Sequence, residues 1–340
     1  MSENTRMLVL LPNWLGDVAM CTPALRALRT QYPNARITVA GRAPACELLA
    51  GLPYFDAAVA IPHRPGFLQM LGIARRLRPC ARELAVVFPH SFRLALLAWL
   101  TGARRRVGYA RGGRSHLLTE RMPRHLENGA PAPVYTAREY LELVAALGCA
   151  DDNAGLALAA DAEEVARVRQ GLPEQAPVAG VVPGAAFGPS KRWLAARFAA
   201  VADALHERTG AACLLITGPG EEDVRDEVRA HARHPLIDPQ ADGADIARLK
   251  AAVAAVDVLV TNDTGPRHIA VAFGKPVVCI MGPTSPKYTA SPWERGEVLR
   301  VDVDCGPCQK PVCTTDHRCM TRIAPETVVQ AVMRWLPARP

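Results

Sequence analysis

The stretch Asn262-Asp263-Thr264-Gly265-Pro266-Arg267-His268 lies between Val258-Leu259-Val260 and Gly274-Lys275-Pro276-Val277-Val278. It reads as a buried strand, a polar glycine-containing turn, a short helix and a second buried strand. The first N–H groups of a helix have no partner within it and carry positive partial charge, so such a turn can cradle a phosphate. Asp263 and Thr264 are also the residue types that cap helices. A second stretch of this kind opens the chain: Met7-Leu8-Val9-Leu10-Leu11, a break at Pro12-Asn13-Trp14-Leu15-Gly16-Asp17, then a helical pattern through Val18, Ala19, Ala24, Leu25 and Leu28. An acid at the C-terminal edge of a parallel strand lies where open α/β sheets put their ligands. For Asp17, too, helix capping is the alternative role.

The elements that must position these residues form two series. Strand-like runs near 7–11, 36–40, 57–61 and 84–88 alternate with helical patterns near 18–31, 43–50, 67–78, 91–101 and 137–148. After a loop-like stretch from Cys149 to Gly155 and a charged helix near 161–170, strands near 178–182, 212–217, 235–238, 257–261, 277–281 and 298–302 alternate with helices near 194–208, 221–232, 244–255 and 267–273. Such alternation means parallel sheets with right-handed crossovers, and two series mean two Rossmann-like halves. At 340 residues the chain exceeds what one core usually supports, about 250–300 residues. Boundaries of 1–160 and 161–340 follow, with a final helix about 325–336 as a candidate for packing back on the N-terminal half.

The longest apolar stretch, Leu94 to Leu100, is far short of the ~20 residues that span a bilayer. Met1 to Arg6 lack the basic and apolar regions of a signal peptide, so a cytoplasmic protein is expected. Net charge is +7 and unevenly spread: seven arginines against the single acid Glu120 lie between Arg104 and Arg124, around Gly112-Gly113. This reads as a mobile basic loop for an anionic partner such as nucleic acid, a phospholipid surface or a phosphorylated glycolipid. Tyr109 is its one aromatic, which disfavours a base-stacking platform.

Six of the ten cysteines are scattered through apolar or helical contexts. The other four form Cys305-x2-Cys308-x4-Cys313-x5-Cys319, with His317 inside. Soft ligands this close could form a zinc site, although only the first pair has a common zinc spacing; reduced thiols in a loop are the alternative.

Five motifs in this order carry a resemblance: Leu11-Pro12-Asn13-Trp14-Leu15-Gly16-Asp17, Pro183-Gly184-Ala185-Ala186-Phe187-Gly188-Pro189-Ser190-Lys191-Arg192-Trp193, Asn262-Asp263-Thr264-Gly265, Gly282-Pro283-Thr284-Ser285-Pro286 and the cysteine cluster. Together they resemble the ADP-heptose:lipopolysaccharide heptosyltransferase family, most of all its heptosyltransferase II branch, from Met7 to about Leu336. The resemblance implies a GT-B glycosyltransferase: two Rossmann-like domains facing a central cleft, with the acceptor on the first and the nucleotide-sugar on the second. It implies inverting transfer of L-glycero-D-manno-heptose from ADP-heptose to the first heptose of the lipopolysaccharide inner core, with no cofactor and no metal required. Asp17 would be the general base, and Lys191 would bind the diphosphate, with Arg192 as its rival. Asp263, Thr264, Gly265 and His268 would complete the nucleotide-sugar site, and Glu221, or equally Glu222, would meet the ribose. Asn13 is assigned to the acceptor side, and the basic N-terminal surface, with Arg64, Arg111 and Arg114, is expected to hold the acceptor, a phosphorylated Kdo–lipid A type glycolipid. The implied location is cytoplasmic and peripheral to the inner membrane, without nucleic acid. Arg267 departs from the family's apolar pair after the glycine, which leaves a GT-B transferase with another nucleotide-sugar or acceptor as the alternative. A nucleotide-sugar epimerase of similar fold and a non-catalytic scaffold built on the cysteines are the further rivals.

Overall fold

The computed structural model describes residues 5–241 and 243–336. Met1 to Asn4, on which much of the signal-peptide reading rests, lie outside them. The chain divides into two compact units between Leu158 and Ala159.

In the first unit β1 (Arg6–Leu10), β2 (Arg36–Gly41), β3 (Ala57–Ala60), β4 (Leu84–Val87), β5 (Arg105–Tyr109) and β6 (Glu120–Met122) form one sheet in the order β3-β2-β1-β4-β5-β6. Every pairing is parallel. A short antiparallel pair follows, β7 (Leu126–Glu127) with β8 (Ala130–Pro131). The helices are α1 (Leu15–Met20), α2 (Thr22–Gln31), α3 (Ala43–Leu49), α4 (Phe67–Leu77), α5 (Phe92–Leu100) and α6 (Thr136–Ala145). β1 and β4 are central, so both their faces are covered and they read as continuous apolar runs. One core cluster joins Leu8, Leu10, Ala85 and Val87 to Met70, Ile73, Leu77, Ala95 and Ala98 of α4 and α5.

The basic stretch differs from expectation. Arg105–Tyr109 and Glu120–Met122 are paired strands, not a mobile loop. Arg105 makes a two-point ion pair with Glu120, at 2.6 and 2.9 Å, across that edge. Arg106 donates to the carbonyls of Leu117 and Ala103. Charged residues on an edge strand obscure the apolar alternation by which a strand is recognised.

The second unit repeats the plan. β9 (Val178–Val182), β10 (Ala212–Leu215), β11 (Leu236–Ile237), β12 (Val258–Asn262), β13 (Val277–Ile280) and β14 (Gly296–Leu299) lie in the order β11-β10-β9-β12-β13-β14, again all parallel. The helices are α7 (Ala162–Gln170), α8 (Ala195–Thr209), α9 (Glu222–His231), α10 (Ile246–Ala255), α11 (Gly265–Ala272), α12 (Pro286–Thr289), α13 (Arg318–Thr321) and α14 (Pro325–Met333). Trp193 and Phe198 meet edge to face at 5.1 Å in the core. The last helix spends its apolar stripe, Val328, Val329, Ala331 and Val332, on this same core.

Candidate functional site

In each sheet the chain order reverses between the first and fourth strands, β1 and β4 in one unit, β9 and β12 in the other. Loops leaving the C-terminal ends of two such strands diverge and leave a crevice, the usual ligand position of an open α/β sheet. The sequence motifs lie at these points.

In the second unit β12 ends at Asn262, which is fully buried. Its Nδ2 donates to the carbonyls of Pro183 (2.7 Å) and Gly184 (3.2 Å), and its Oδ1 accepts from the Trp193 N–H (3.1 Å). One amide thus fixes both ends of the loop leaving β9. Asp263 follows, 3 % exposed. Its Oδ2 accepts from Lys191 Nζ (2.9 Å) and Thr284 Oγ1 (2.7 Å), and its Oδ1 from Arg267 (2.8 Å). Lys191 also donates to the Asp263 carbonyl and stands 5.1 Å over the Phe187 ring. Burial opposes the charge of Asp263, but Lys191, Arg267 and His268 hold its carboxyl well below the usual carboxylate range.

Thr264 occupies the N-cap position of α11, and its side chain makes no capping hydrogen bond. Thr264 and Gly265 are partly exposed at its start. A partly exposed helix start without a side-chain cap beside a seated ammonium suits an anion with several oxygens.

Lys191 and Arg192 are told apart by their partners. Arg192 turns to Asp223 at 3.2 Å, while Lys191 points to the buried acid. Glu221 and Glu222 separate likewise. Glu221 accepts from the Gly218 N–H (2.8 Å) and packs so closely on Gly184 that a Cβ there would lie 2.0 Å from its carboxylate. Burial pushes its carboxyl up. Glu222 is exposed in the first turn of α9.

The cysteine-rich stretch folds against this site. Ser190 donates its N–H to the Pro311 carbonyl (3.1 Å) and its hydroxyl to the Lys310 carbonyl (2.6 Å), and its own carbonyl meets His317 Nε2 (2.7 Å). Gly188, at φ 151°, has the Pro311 carbonyl where a Cβ would sit. Cys305, Cys308, Cys313, Cys319 and His317 line one cavity. Among the described residues, no group of three or more His, Cys, Asp or Glu is arranged to hold a metal ion.

His268 lies on the buried face of α11, and among the described residues its Nδ1 has no hydrogen-bond partner. Burial first, then the Arg267 charge, push its pKa down to about 3, so the imidazole is neutral at pH 7. The unfolded chain, with an ordinary histidine pKa near 6.5, takes up the proton first. The folded state therefore loses stability as pH falls below about 6.5, at up to ~1.4 kcal/mol per pH unit for this group. Thermal unfolding should show a drop in Tm from pH 7 to pH 5 that is shallower in His268→Gln; equal slopes would remove His268 from the account.

In the first unit Asp17 is half-buried in the first turn of α1, directly after β1. Its charge reaches inward: burial and then Asp17 raise the pKa values of Cys21 and Tyr140. Asn13 and Trp14 are exposed beside it. At the end of β4, His90 Nδ1 meets Arg111 at 2.9 Å and His90 Nε2 lies 3.5 Å from Glu139. Burial, with Arg111 and Arg114, pushes His90 down to about 4. Sequence reasoning passed over His90, Glu139 and Glu142, whose grouping depends on the pairing of β4, β5 and α6. Glu142 holds His125 at 2.6 Å and Arg138 at 2.9 Å.

The expected acceptor arginines divide. Arg64 and Arg111 are exposed. Arg114 is fully buried and donates to the carbonyls of Tyr109, Pro89 and Ser91. It is thus no part of a basic surface, and burial pushes its pKa down to about 10. A guanidinium carries five donors in a fixed fork, which lets one side chain gather three carbonyls from two segments of the chain.

Residues 70–318 match the profile of glycosyltransferase family 9, the heptosyltransferases. The chain is 29 % identical to lipooligosaccharide heptosyltransferase 2 of Haemophilus ducreyi, over 97 % of this chain and 99 % of the relative. It is also 29 % identical to lipopolysaccharide heptosyltransferase 2 of Escherichia coli, over 96 % and 97 %. Among solved structures it resembles the E. coli ADP-heptose lps heptosyltransferase II with a TM-score of 0.81, at 24 % identity over 97 % of this chain and 98 % of that one. A family 9 glycosyl transferase from Veillonella parvula superposes with a TM-score of 0.83, at 23 % identity over 98 % of both. These likenesses place the two Rossmann-like units in the GT-B class.

Proposed function

This chain belongs to glycosyltransferase family 9, the heptosyltransferases, and from that premise we propose that it is an inverting transferase that moves L-glycero-D-manno-heptose from ADP-heptose to the first heptose of the lipopolysaccharide inner core. One observation carries the reading: an ammonium, Lys191, seated on a buried carboxylate at the switch point of the second sheet, next to a helix start without a side-chain cap. A diphosphate leaving group needs such a place. As the bond between the sugar carbon and the diphosphate oxygen breaks, the electron pair stays with ADP, and Lys191, Thr264 and Gly265 supply charge and donors for it. Preorganised donors aimed at developing charge are commonly the largest single catalytic contribution. Glu221, held inward against Gly184, is the acid for the ribose hydroxyls, and His268 supports the same site from below.

Asp17 takes the proton of the attacking acceptor hydroxyl, since nucleophilic attack with inversion needs a base for that proton. Asn13, Arg64 and Arg111 belong to the acceptor side. The acceptor is a phosphorylated Kdo–lipid A type glycolipid, reached from the cytoplasmic face of the inner membrane by a peripherally bound enzyme. Among the described residues no helix is long and apolar enough to cross a membrane. The names of the relatives support the heptose and the glycolipid; neither a metal nor another cofactor enters the proposed reaction. Mass spectrometry after incubation with ADP-heptose and defined inner-core acceptors should show one added heptose on the mono-heptosylated acceptor. An unmodified acceptor with ADP-heptose, but a mass gain with another nucleotide-sugar, would favour the related transferase that Arg267 suggests.

The two arginine classes make a separate prediction. Attraction between exposed charges is screened within ~8 Å at physiological ionic strength. Acceptor KM should therefore rise with salt more steeply than donor KM, and Arg111→Glu should raise acceptor KM in the same direction. Arg114→Ala should instead lower Tm, because it removes three hydrogen bonds and takes the guanidinium from the Pro89 carbonyl, a loss of about 1–3 kcal/mol. Parallel salt responses of the two substrates would reduce Arg111 to a solvated side chain.

A further inference from the structure

Asp263 shares its carboxylate between two cations, and the second of them is itself anchored. Arg267, fully buried, gives Nε and a terminal nitrogen to both oxygens of Glu294, at 2.8 and 2.7 Å, and its other terminal nitrogen to Asp263 Oδ1 (2.8 Å) and Thr289 (3.2 Å). The result is a chain of alternating charges, Glu294, Arg267, Asp263, Lys191, whose last member is the one side chain of the four with appreciable exposure, at 13 %. Buried ion pairs are weak sources of stability, because desolvation cancels much of their attraction. Geometry is a better reason for this one. A carboxylate torsion is broad and roughly two-fold, so Asp263 with Lys191 alone could turn and draw the ammonium down. The bidentate pair with Glu294 locks the planar Arg267 fork, and the fork then locks Asp263. Oδ1 is thereby occupied, and Oδ2 is left for Lys191 and Thr284.

We propose that Arg267, fixed by Glu294, is a positioning residue that acts through Asp263 to seat Lys191 for the diphosphate. The inference rests on the reading of Lys191 given under Proposed function. Because Arg267 makes its contacts within the protein, it works on the ligand only through Lys191, and its removal must be non-additive with removal of the lysine.

The test is calorimetry of ADP binding to the full-length protein, with Tm as a folding control. Arg267→Met/Glu294→Leu removes both partners and leaves no unpaired charge between them; Arg267→Lys keeps the charge but loses the fork. Each should weaken ADP about tenfold while Lys191 is present, and less than about twofold in the Lys191→Ala background, a coupling of the size seen between residues of one network. Equal fold losses in both backgrounds would overturn the proposal, as would unchanged affinity with Lys191 present. A normal ADP affinity for Lys191→Ala alone would overturn the diphosphate reading itself, and this inference with it.

Discussion

Asp17→Asn should lower kcat by about 10²–10⁴-fold, the usual worth of a positioned general base, with little change in ADP affinity. The amide keeps the size and shape of the side chain at the start of α1 and loses only the ability to take a proton. Asp17 belongs to the first unit, whereas every proposed diphosphate contact belongs to the second, so the substitution leaves the nucleotide contacts alone. Single-turnover rates with saturating donor, paired with calorimetry of ADP, separate the two quantities. Turnover within a few-fold of the parent enzyme would rule out Asp17 as the base and return it to the helix-start role its position also allows.

Lys191→Ala should weaken ADP by about 10- to 150-fold, since a charge-assisted hydrogen bond contributes ~1.5–3 kcal/mol. Its effect on kcat should be at least as large, because the charge on the diphosphate grows as the bond to the sugar breaks. The substitution also leaves Asp263 with Arg267 as its remaining cation, so part of the loss will be a relaxed acid. Lys191→Arg tests this: the charge survives, but a planar fork cannot occupy the seat of a tetrahedral ammonium, and turnover should recover only in part. Unchanged ADP affinity together with normal turnover for Lys191→Ala would dismiss the lysine from the site.

Much of this was legible in the sequence, and the exceptions have physical causes. β1, β9, β12 and β13 are apolar because they are covered on both faces, so they and the motifs at their ends could be read directly. β5 and β6 were hidden by Arg105, Arg106, Glu120 and Arg121: Arg105 and Glu120 pair with each other, Arg106 turns to backbone carbonyls and Arg121 faces solvent. Arg114 looked like its neighbours in the basic stretch; nothing local shows that its guanidinium serves the carbonyls around residue 90. Glu221 and Glu222 are alike in sequence, and only the close approach of Glu221 to Gly184 distinguishes their surroundings. The Arg267–Glu294 pair spans 27 residues of sequence, and Arg267 was noticed only as a departure from a pattern. Spacing reveals elements and the motifs between them, whereas long-range polar partners are set by how the elements pack.

The clasp between Ser190 and the stretch Lys310 to His317 also bears on the order of synthesis. The lysine-bearing loop is fastened by carbonyls 120 residues further along the chain. A ribosome that has released everything through β14 has delivered all six strands of the second sheet but not the segment that clasps Ser190. Domains form as units while the chain emerges. A nascent protein at that stage has all its strands but lacks both the fastening for Lys191 and the apolar stripe of α14 that completes the core, so the proposed diphosphate seat and the packing beneath it are finished together by the segment after β14.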